Sequence, residues 1–155
     1  MYNNNEYYIK KTELKSCQVC SKGIMLTKSG IGECEHCEWI HSEDAVHNYD
    51  IVRYPNIVPF SRAVELVKQG KKIQTRIEDF IGMYESYGEV GFVYNGQNYG
   101  LINSNGKQLA FYRYYDEDFD QQYFLTADDF INNANISGIL LKNIWNEISE
   151  VNWLM

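Results

Sequence analysis

The spacing of apolar residues changes twice along this chain of 155 residues. Residues 1–52 show no helical period and contain many Gly, Lys and Ser residues, which is typical of turns and short hairpins. From Phe60 the apolar residues recur every three or four positions, as in an amphipathic helix, and from Glu89 they alternate, as in β-strands. The chain therefore divides into three segments, residues 1–52, 53–88 and 89–155.

Two helices are predicted between residues 53 and 88. The apolar face of the first carries Phe60, Ala63, Val64 and Val67, and that of the second carries Ile77, Phe80, Ile81 and Tyr84. Gly70 and Gly88 are placed to end these helices, because glycine readily adopts the left-handed conformation found after a helix C-terminus. Thr75 and Glu78 have the spacing of a capping box, so we expect the second helix to begin at Thr75.

Residues 89–155 are predicted to form a small antiparallel sheet and two helices. Asn95 and Gly96 form the dipeptide favoured in two-residue hairpin turns, and a second turn is expected at residues 103–106. These turns predict a three-stranded meander, with a fourth strand at residues 121–126. Thr126 and Asp129 predict a helix start, and the apolar spacing of residues 139–150 predicts a C-terminal amphipathic helix.

All four cysteines lie in the motifs CQVC and CEHC, which thirteen residues separate. Two residues between paired thiols let a tight turn aim both sulfurs at one point. A hairpin with turn residues at Gly23, Gly30 and Gly32 would bring the two pairs together. We therefore predict an α+β fold in which a zinc-ribbon module, residues 1–52, precedes the helices and the meander. Its structural Zn²⁺ would be held by Cys17, Cys20, Cys34 and Cys37.

Other chemistries fit these motifs less well. A redox pair needs an accessible thiol at a helix start, usually in a thioredoxin-like context that neither motif has. Disulfides are rare in a reducing compartment. His36, His41 and His47 crowd the same region, but four cysteines already complete a tetrahedron. A calcium loop opening at Asp116 is also disfavoured, because Gln121 and Ala127 stand where such a loop needs Gly and Glu.

Charge is segregated along the chain. Residues 53–76 contain six basic and one acidic residue, whereas residues 77–155 contain three basic and twelve acidic residues. We call residues 53–88 the basic helical connector and residues 89–155 the acidic α+β module. The acidic module offers carboxylates among aromatic rings, which suit a basic protein partner. These candidate partner-binding residues are Tyr114, Tyr115, Asp116, Asp118, Phe119 and Asp120. If the protein instead bound nucleic acid, its phosphate contacts would be Arg53, Arg62, Lys68, Lys71, Lys72 and Arg76.

The stretch CEHCEWIHSED and the later YPNIVPFSRAVEL together resemble the cysteine-rich CPCC family of small bacterial proteins. The resemblance covers about residues 15–70, and neither cysteine motif here contains the proline found in the family. It implies a small zinc-ribbon protein and is compatible with an immunity role beside a toxin. The residues that carry it are Cys17, Cys20, Cys34, Cys37, Trp39, Asn56 and Ala63.

The composition narrows the function. A net charge of −7 opposes general nucleic-acid binding, and the chain contains no phosphate-binding glycine loop and no clear Ser, His and acid set. We therefore expect a non-catalytic inhibitor that binds another protein, such as an immunity protein or a phage-encoded antagonist of a bacterial defence enzyme. The alternative is a zinc-ribbon regulator associated with nucleic acid. Without an apolar signal segment or membrane span, the chain is predicted to be cytoplasmic.

Overall fold

The computed structural model describes residues 16–22, 25–26 and 32–154. The chain divides into two compact units, Met1–Gln74 and Thr75–Met155. The structure is a mixture of helices and antiparallel sheet, as predicted. Within the described residues, no helix has the length and apolar character required to cross a membrane.

The first unit contains a short hairpin and two helices. Strands β1 (Met25–Leu26) and β2 (Gly32–Glu33) pair antiparallel, with Leu26 opposite Gly32, which confirms the predicted hairpin. Its proposed turn residues Gly23 and Gly30 lie outside the described residues. Helix α1 (Glu43–His47) was not predicted, because its five residues are too few to show an apolar period. It begins where the Ser42 hydroxyl accepts a hydrogen bond from the Ala45 N–H, at 3.1 Å.

Helix α2 (Phe60–Lys68) packs on the cysteine-rich segment. Trp39, only 1% exposed, lies at the centre of this core, and the Phe60 ring meets it edge-on at a centroid distance of 5.6 Å. Ala63 and Leu66 are the buried residues of the helix. The prediction that Ala63 lies on the buried face of this helix is therefore confirmed, whereas Val64 and Val67 are only half-buried. The core residues that accompany Trp39 are Cys17, Cys34, Ala45, Val58 and Ala63.

Helix α3 (Ile77–Tyr87) opens the second unit one residue later than predicted. Its N-cap is Arg76, whose backbone N–H donates to Asp79 Oδ2 at 2.8 Å. The predicted box of Thr75 and Glu78 was wrong, because Asp79 is buried and makes this bond while Glu78 is exposed. The helix ends as predicted at Gly88, which has a φ of 83°.

The second unit is built on a five-stranded antiparallel sheet. Its strands are β3 (Glu89–Tyr94), β4 (Gln97–Ser104), β5 (Gln108–Arg113), β6 (Gln122–Phe124) and β9 (Ser149–Trp153), in the order β6-β5-β4-β3-β9. The predicted meander and fourth strand are confirmed. Asn95 and Gly96 have φ values of 47° and 72°, as a two-residue hairpin turn requires. Asn105 and Gly106, with φ values of 56° and 69°, lie in a three-residue loop that ends at Lys107.

The C-terminal region corrects one prediction. Helix α4 (Ala127–Asn133) begins as expected, with Thr126 Oγ1 accepting from the Asp129 N–H at 3.1 Å. The helix predicted over residues 139–150 was wrong. In its place the structure has strand β8 (Ile139–Leu140), which forms a short hairpin with β7 (Asn135–Ile136). A single helical turn α5 (Leu141–Ile144), a 3-10 turn (Trp145–Glu147) and strand β9 follow.

Strand β9 forms because β3 has an edge to pair. Val90 lies opposite Trp153 and Gly91 opposite Asn152, so backbone groups that an edge strand would leave unpaired enter the ladder. Leu141 and Ile144 keep their helical spacing for one turn only and are both buried. Pairing with β3 therefore overrides the local helical pattern of this segment.

Aromatic side chains fill the core between the sheet and the helices of the second unit. Phe80 of α3 is fully buried. Its ring centroid lies 5.5 Å from that of Phe92, 6.2 Å from Phe130 and 5.3 Å from Trp145. The Trp145 indole N–H also donates to the Thr75 carbonyl at 2.8 Å. Phe80 thus joins the helices, the sheet and the C-terminal turn.

The two helices of the predicted connector, residues 53–88, belong to different units. Helix α2 packs on Trp39 in Met1–Gln74, and α3 packs on Phe92 in Thr75–Met155. Each helix belongs to the unit whose core its apolar face contacts. The connector is therefore a segment of sequence rather than a compact body, and its basic residues all precede α3.

We expect Phe80→Ala to lower the free energy of unfolding of the second unit by about 3–5 kcal/mol, because it leaves a cavity in the aromatic core. Phe80→Leu should cost less. Denaturant titration followed at the amide resonances of β4 measures both. The control is Leu125→Ala, since Leu125 is 70% exposed and its loss should change stability by about 0.5 kcal/mol or less. Equal losses in Phe80→Ala and the control would contradict this view of the core.

Candidate metal centre and charged surfaces

The sulfur atoms of the four cysteines converge on one point. The Sγ atoms all lie within 4.8 Å of one another. Those of Cys17 and Cys37 are 3.7 Å apart, and those of Cys20 and Cys34 are 3.4 Å apart. A disulfide would require about 2.05 Å, and the four cysteines are free thiols. A tetrahedral zinc ion with Zn–S bonds of about 2.3 Å separates its sulfurs by about 3.8 Å. The cluster therefore fits a metal ion bound by four thiolates.

The first cysteine pair sits on a tight turn closed by backbone hydrogen bonds. The Cys17 N–H donates to the Lys22 carbonyl, and the Ser21 N–H donates to the Cys17 carbonyl at 3.0 Å. Ser21 has a φ of 61°, which bends the chain back after Cys20. The Val19 N–H points at Cys17 Sγ, at 3.4 Å. This turn aims both sulfurs to the same side.

The second pair repeats that geometry. The Cys34 N–H donates to the Trp39 carbonyl at 2.9 Å, and the Glu38 N–H donates to the Cys34 carbonyl at 2.8 Å. Glu38 has a φ of 65°, close to the value of Ser21 in the first turn. Two turns of the same kind thus face each other, which is the arrangement that paired C-x2-C motifs predict.

Asn56 braces the chain that leaves the second turn. Its side-chain amide accepts from the Ile40 N–H at 3.0 Å and donates to the Ile40 carbonyl at 2.7 Å. Asn56 is 6% exposed, so these bonds also satisfy a buried polar group. Periodicity and spacing gave no sign of this role, because the two residues are sixteen positions apart.

Burial and backbone N–H groups act in opposite directions on the thiols. Burial raises the pKa of Cys17 to about 11, and burial likewise raises the pKa of Cys37. Burial also opposes ionisation of Cys34, but N–H groups of Cys37 and His36 and the neighbouring thiols lower its pKa overall. Four thiolates therefore need a cation to coexist here, and a coordinating metal deprotonates its thiols.

The structure does not place a histidine in the sulfur cluster. Among the described residues, the four cysteines are the single group of His, Cys, Asp or Glu ligands close enough to hold a metal ion. His36 is exposed, and His47 Nδ1 lies 2.8 Å from the Glu43 carbonyl. Burial lowers the pKa of His41, although Glu43 raises it slightly. None of the three histidines is therefore placed as a ligand in the sulfur cluster.

Two of the candidate partner-binding residues anchor their loop to the sheet. The Phe119 ring packs edge-on against Tyr99 and Phe111, with centroids 5.7 and 5.9 Å away. The Arg113 guanidinium lies 5.4 Å from the centre of the same ring and pairs with Asp116. Phe119 and Asp116 are therefore parts of the fold, and they attach the loop of residues 114–120 to the sheet.

The other candidates face outward to different extents. Tyr114 is half-buried, with its ring 5.0 Å from that of Tyr112, whereas Tyr115 is fully exposed. Asp118 and Asp120 are exposed, as is Glu117 between them and Tyr115. Two further apolar side chains on the strand that follows the loop were missed, Tyr123 at 52% and Leu125 at 70% exposure. Alternation along β6 was the signal for them, because Phe124 between them faces the core.

The candidate phosphate-binding residues are divided between the two units. Arg53 pairs with Asp44 at 3.5 Å in the first unit, and Arg76 pairs with Asp79 at 3.1 Å in the second. Arg62 is half-buried on α2. The remaining three, Lys68, Lys71 and Lys72, are exposed at the end of α2 and just beyond it. The basic charge of the connector is thus partly neutralised and divided between units.

Comparison of the chain with protein-family models, with curated proteins and with solved structures gave no match. The resemblance to the CPCC family therefore stays a prediction, carried by the two cysteine turns, Trp39, Asn56 and Ala63.

Proposed function

We propose that Cys17, Cys20, Cys34 and Cys37 bind one structural Zn²⁺ and complete a zinc ribbon in the first unit. The separations of 3.7 and 3.4 Å between sulfurs support this, because they approach the edge of a Zn–S tetrahedron. Four thiolates fill that coordination sphere, so no position is open for water or substrate. Sites of this type contribute about 10–16 kcal/mol of apparent binding free energy, as much as the whole stability of a small domain.

Cys20→Ser should abolish stoichiometric zinc binding and unfold the first unit, because three thiolates hold the metal far more weakly. A strong chelator should have the same effect on the unchanged chain. Elemental analysis gives the zinc content, and amide NMR spectra report on both units separately. We expect the resonances of the second unit to stay dispersed, since its aromatic core contains no cysteine.

Ser16→Ala is the matched control, because Ser16 is exposed, adjoins the first ligand and offers no metal-binding atom. It should retain one zinc per chain and the full spectrum. Purified protein that lacks zinc, or a first unit that keeps its spectrum after chelation, would contradict the proposal.

We further propose that the protein is a non-catalytic binding protein, and that it recognises its partner through the acidic loop, residues 114–120. The observation that carries this is Tyr115, a fully exposed ring beside the exposed carboxylates of Glu117, Asp118 and Asp120. Aromatic residues often supply the main binding energy of an interface, and carboxylates attract a basic partner. Because Phe119 anchors the loop, binding costs little conformational entropy.

A basic protein surface is the partner that this chemistry fits. Nucleases and other enzymes that act on nucleic acids carry such surfaces, since they bind phosphates. An inhibitor would cover that surface with carboxylates, which is the role of an immunity protein or of a phage-encoded antagonist of a bacterial defence enzyme. The narrower assignment rests on this complementarity of charge.

The partner can be captured with a photo-crosslinking amino acid placed at Tyr115. We expect one protein of the native host to be crosslinked at low salt and the yield to fall as salt rises, because attraction between exposed charges is screened. Asp118→Asn with Asp120→Asn should reduce the yield at least fivefold, mainly by slowing association.

The same crosslinker at Tyr49 in the first unit is the control, because that ring is 52% exposed and lies outside the acidic loop. Identical products from both positions would show non-specific capture. Turnover of a substrate by the purified protein would contradict the non-catalytic role.

The nucleic-acid alternative depends on Lys68, Lys71 and Lys72, which are all exposed. Lys71 and Lys72 also line a groove beside the second cysteine turn. It predicts a salt-dependent gel shift of DNA or RNA that disappears in the variant Lys68→Ala, Lys71→Ala, Lys72→Ala. We expect no such shift at physiological salt, because Arg53 and Arg76 are paired with carboxylates and the net charge is −7. A shift that the triple variant abolishes would replace the protein-binding proposal.

A further inference from the structure

A groove of about 250 Å³ lies beside the second cysteine turn in the first unit. One part of its lining comes from that turn and carries Glu35 and Glu38, and another comes from the segment after α2 and carries Lys71 and Lys72. The apolar side chains of Val67 and Ile73 also line it and are half-buried. The groove therefore offers acidic, basic and apolar groups within a small volume.

The charged groups of this groove are available to a ligand. Glu35, Glu38, Lys71 and Lys72 are all exposed. None of the four is in an ion pair with another described residue, whereas Arg53, Arg76 and Arg113 each pair with a nearby aspartate. Two lysines and two glutamates thus line one groove without neutralising each other.

The charge pattern discriminates among ligands. The lysines would attract a nucleic-acid backbone, but the glutamates would repel it. A uniformly basic peptide would be attracted by the glutamates and repelled by the lysines. A segment with one basic and one acidic side chain satisfies both groups, and an apolar side chain between them can contact Val67 and Ile73. The volume is below the 300–1,000 Å³ typical of small-molecule pockets, so the groove encloses only part of a ligand, as when one segment of a larger partner enters it.

We propose that this groove binds a short, turned segment of a protein partner in which an apolar residue separates a basic from an acidic residue. Exposed ion pairs are individually weak, so the groove adds specificity to a contact made elsewhere. The inference rests on the proposed zinc site, because Glu35 and Glu38 stand on the turn that also carries Cys34 and Cys37.

The test is an NMR titration of the zinc-loaded full chain with two capped pentapeptides, Gly-Arg-Leu-Asp-Gly and Gly-Arg-Leu-Arg-Gly. The first should cause saturable changes in amide shifts at residues 35–38 and 67–73, and the second should bind at least threefold more weakly. Lys71→Glu with Lys72→Glu makes the lining acidic throughout. The affinity of that variant for the first peptide should be at least tenfold lower than that of the unchanged chain. Its affinity for the second peptide should be higher than that of the unchanged chain.

Lys107→Glu is the control, since Lys107 is exposed on a hairpin of the second unit and should leave both affinities unchanged. Absence of shift changes at 5 mM peptide, changes confined to other residues, or an order of preference that Lys71→Glu with Lys72→Glu leaves unaltered would overturn the inference. So would a DNA oligonucleotide that shifts the same amides more strongly. Zinc is assayed in the same sample: failure of the peptide with zinc bound overturns the groove alone, and absence of zinc overturns the metal proposal.

Discussion

The convergence of four sulfur atoms is the constraint on which the first unit depends. The hairpin is two residues per strand and α1 is five residues long, so regular structure supplies little of its stability. The core consists of Trp39 and small neighbours, and Cys17 and Cys34 are members of it. Both cysteine turns need a residue with positive φ, Ser21 and Glu38, whose conformations cost free energy in a free chain. A metal ion held by the four sulfurs, as proposed above, would offset that cost.

The second unit is stabilised by different means. Phe80, Phe92, Phe111 and Phe130 form a continuous aromatic core, and the antiparallel ladder of β3, β4 and β5 supports it. This unit can present a fixed loop without metal, because Phe119 extends the same core to residues 114–120. The sulfur cluster and the acidic loop therefore belong to separate units of the chain.

Sequence patterns predicted the features that a few adjacent residues determine. The Asn-Gly turns, the Thr126 cap and the helix ends at Gly70 and Gly88 were correct because positive φ or a side-chain oxygen is a local requirement. The clustering of the cysteines was correct for a related reason, since each pair closes its own turn. The prediction of a helix over residues 139–150 was wrong because the end of this segment pairs with β3, some fifty residues earlier in the chain. The spacing of apolar residues within this segment carries no information about the unpaired edge of β3, which lies elsewhere in the sequence.

The acidic loop shows why residue type alone could not separate anchors from exposed groups. Asp116, Asp118 and Asp120 look equivalent in sequence, yet Asp116 pairs with Arg113 while the other two are exposed. Phe119 looks like an anchor for a partner, but it packs on Phe111. The fully exposed aromatic side chain of the loop is Tyr115, whose φ of 56° turns the chain at that point. The two inward side chains attach the loop to the sheet, so the exposed ring and carboxylates stand on an anchored segment, which is the feature that the proposed binding role uses.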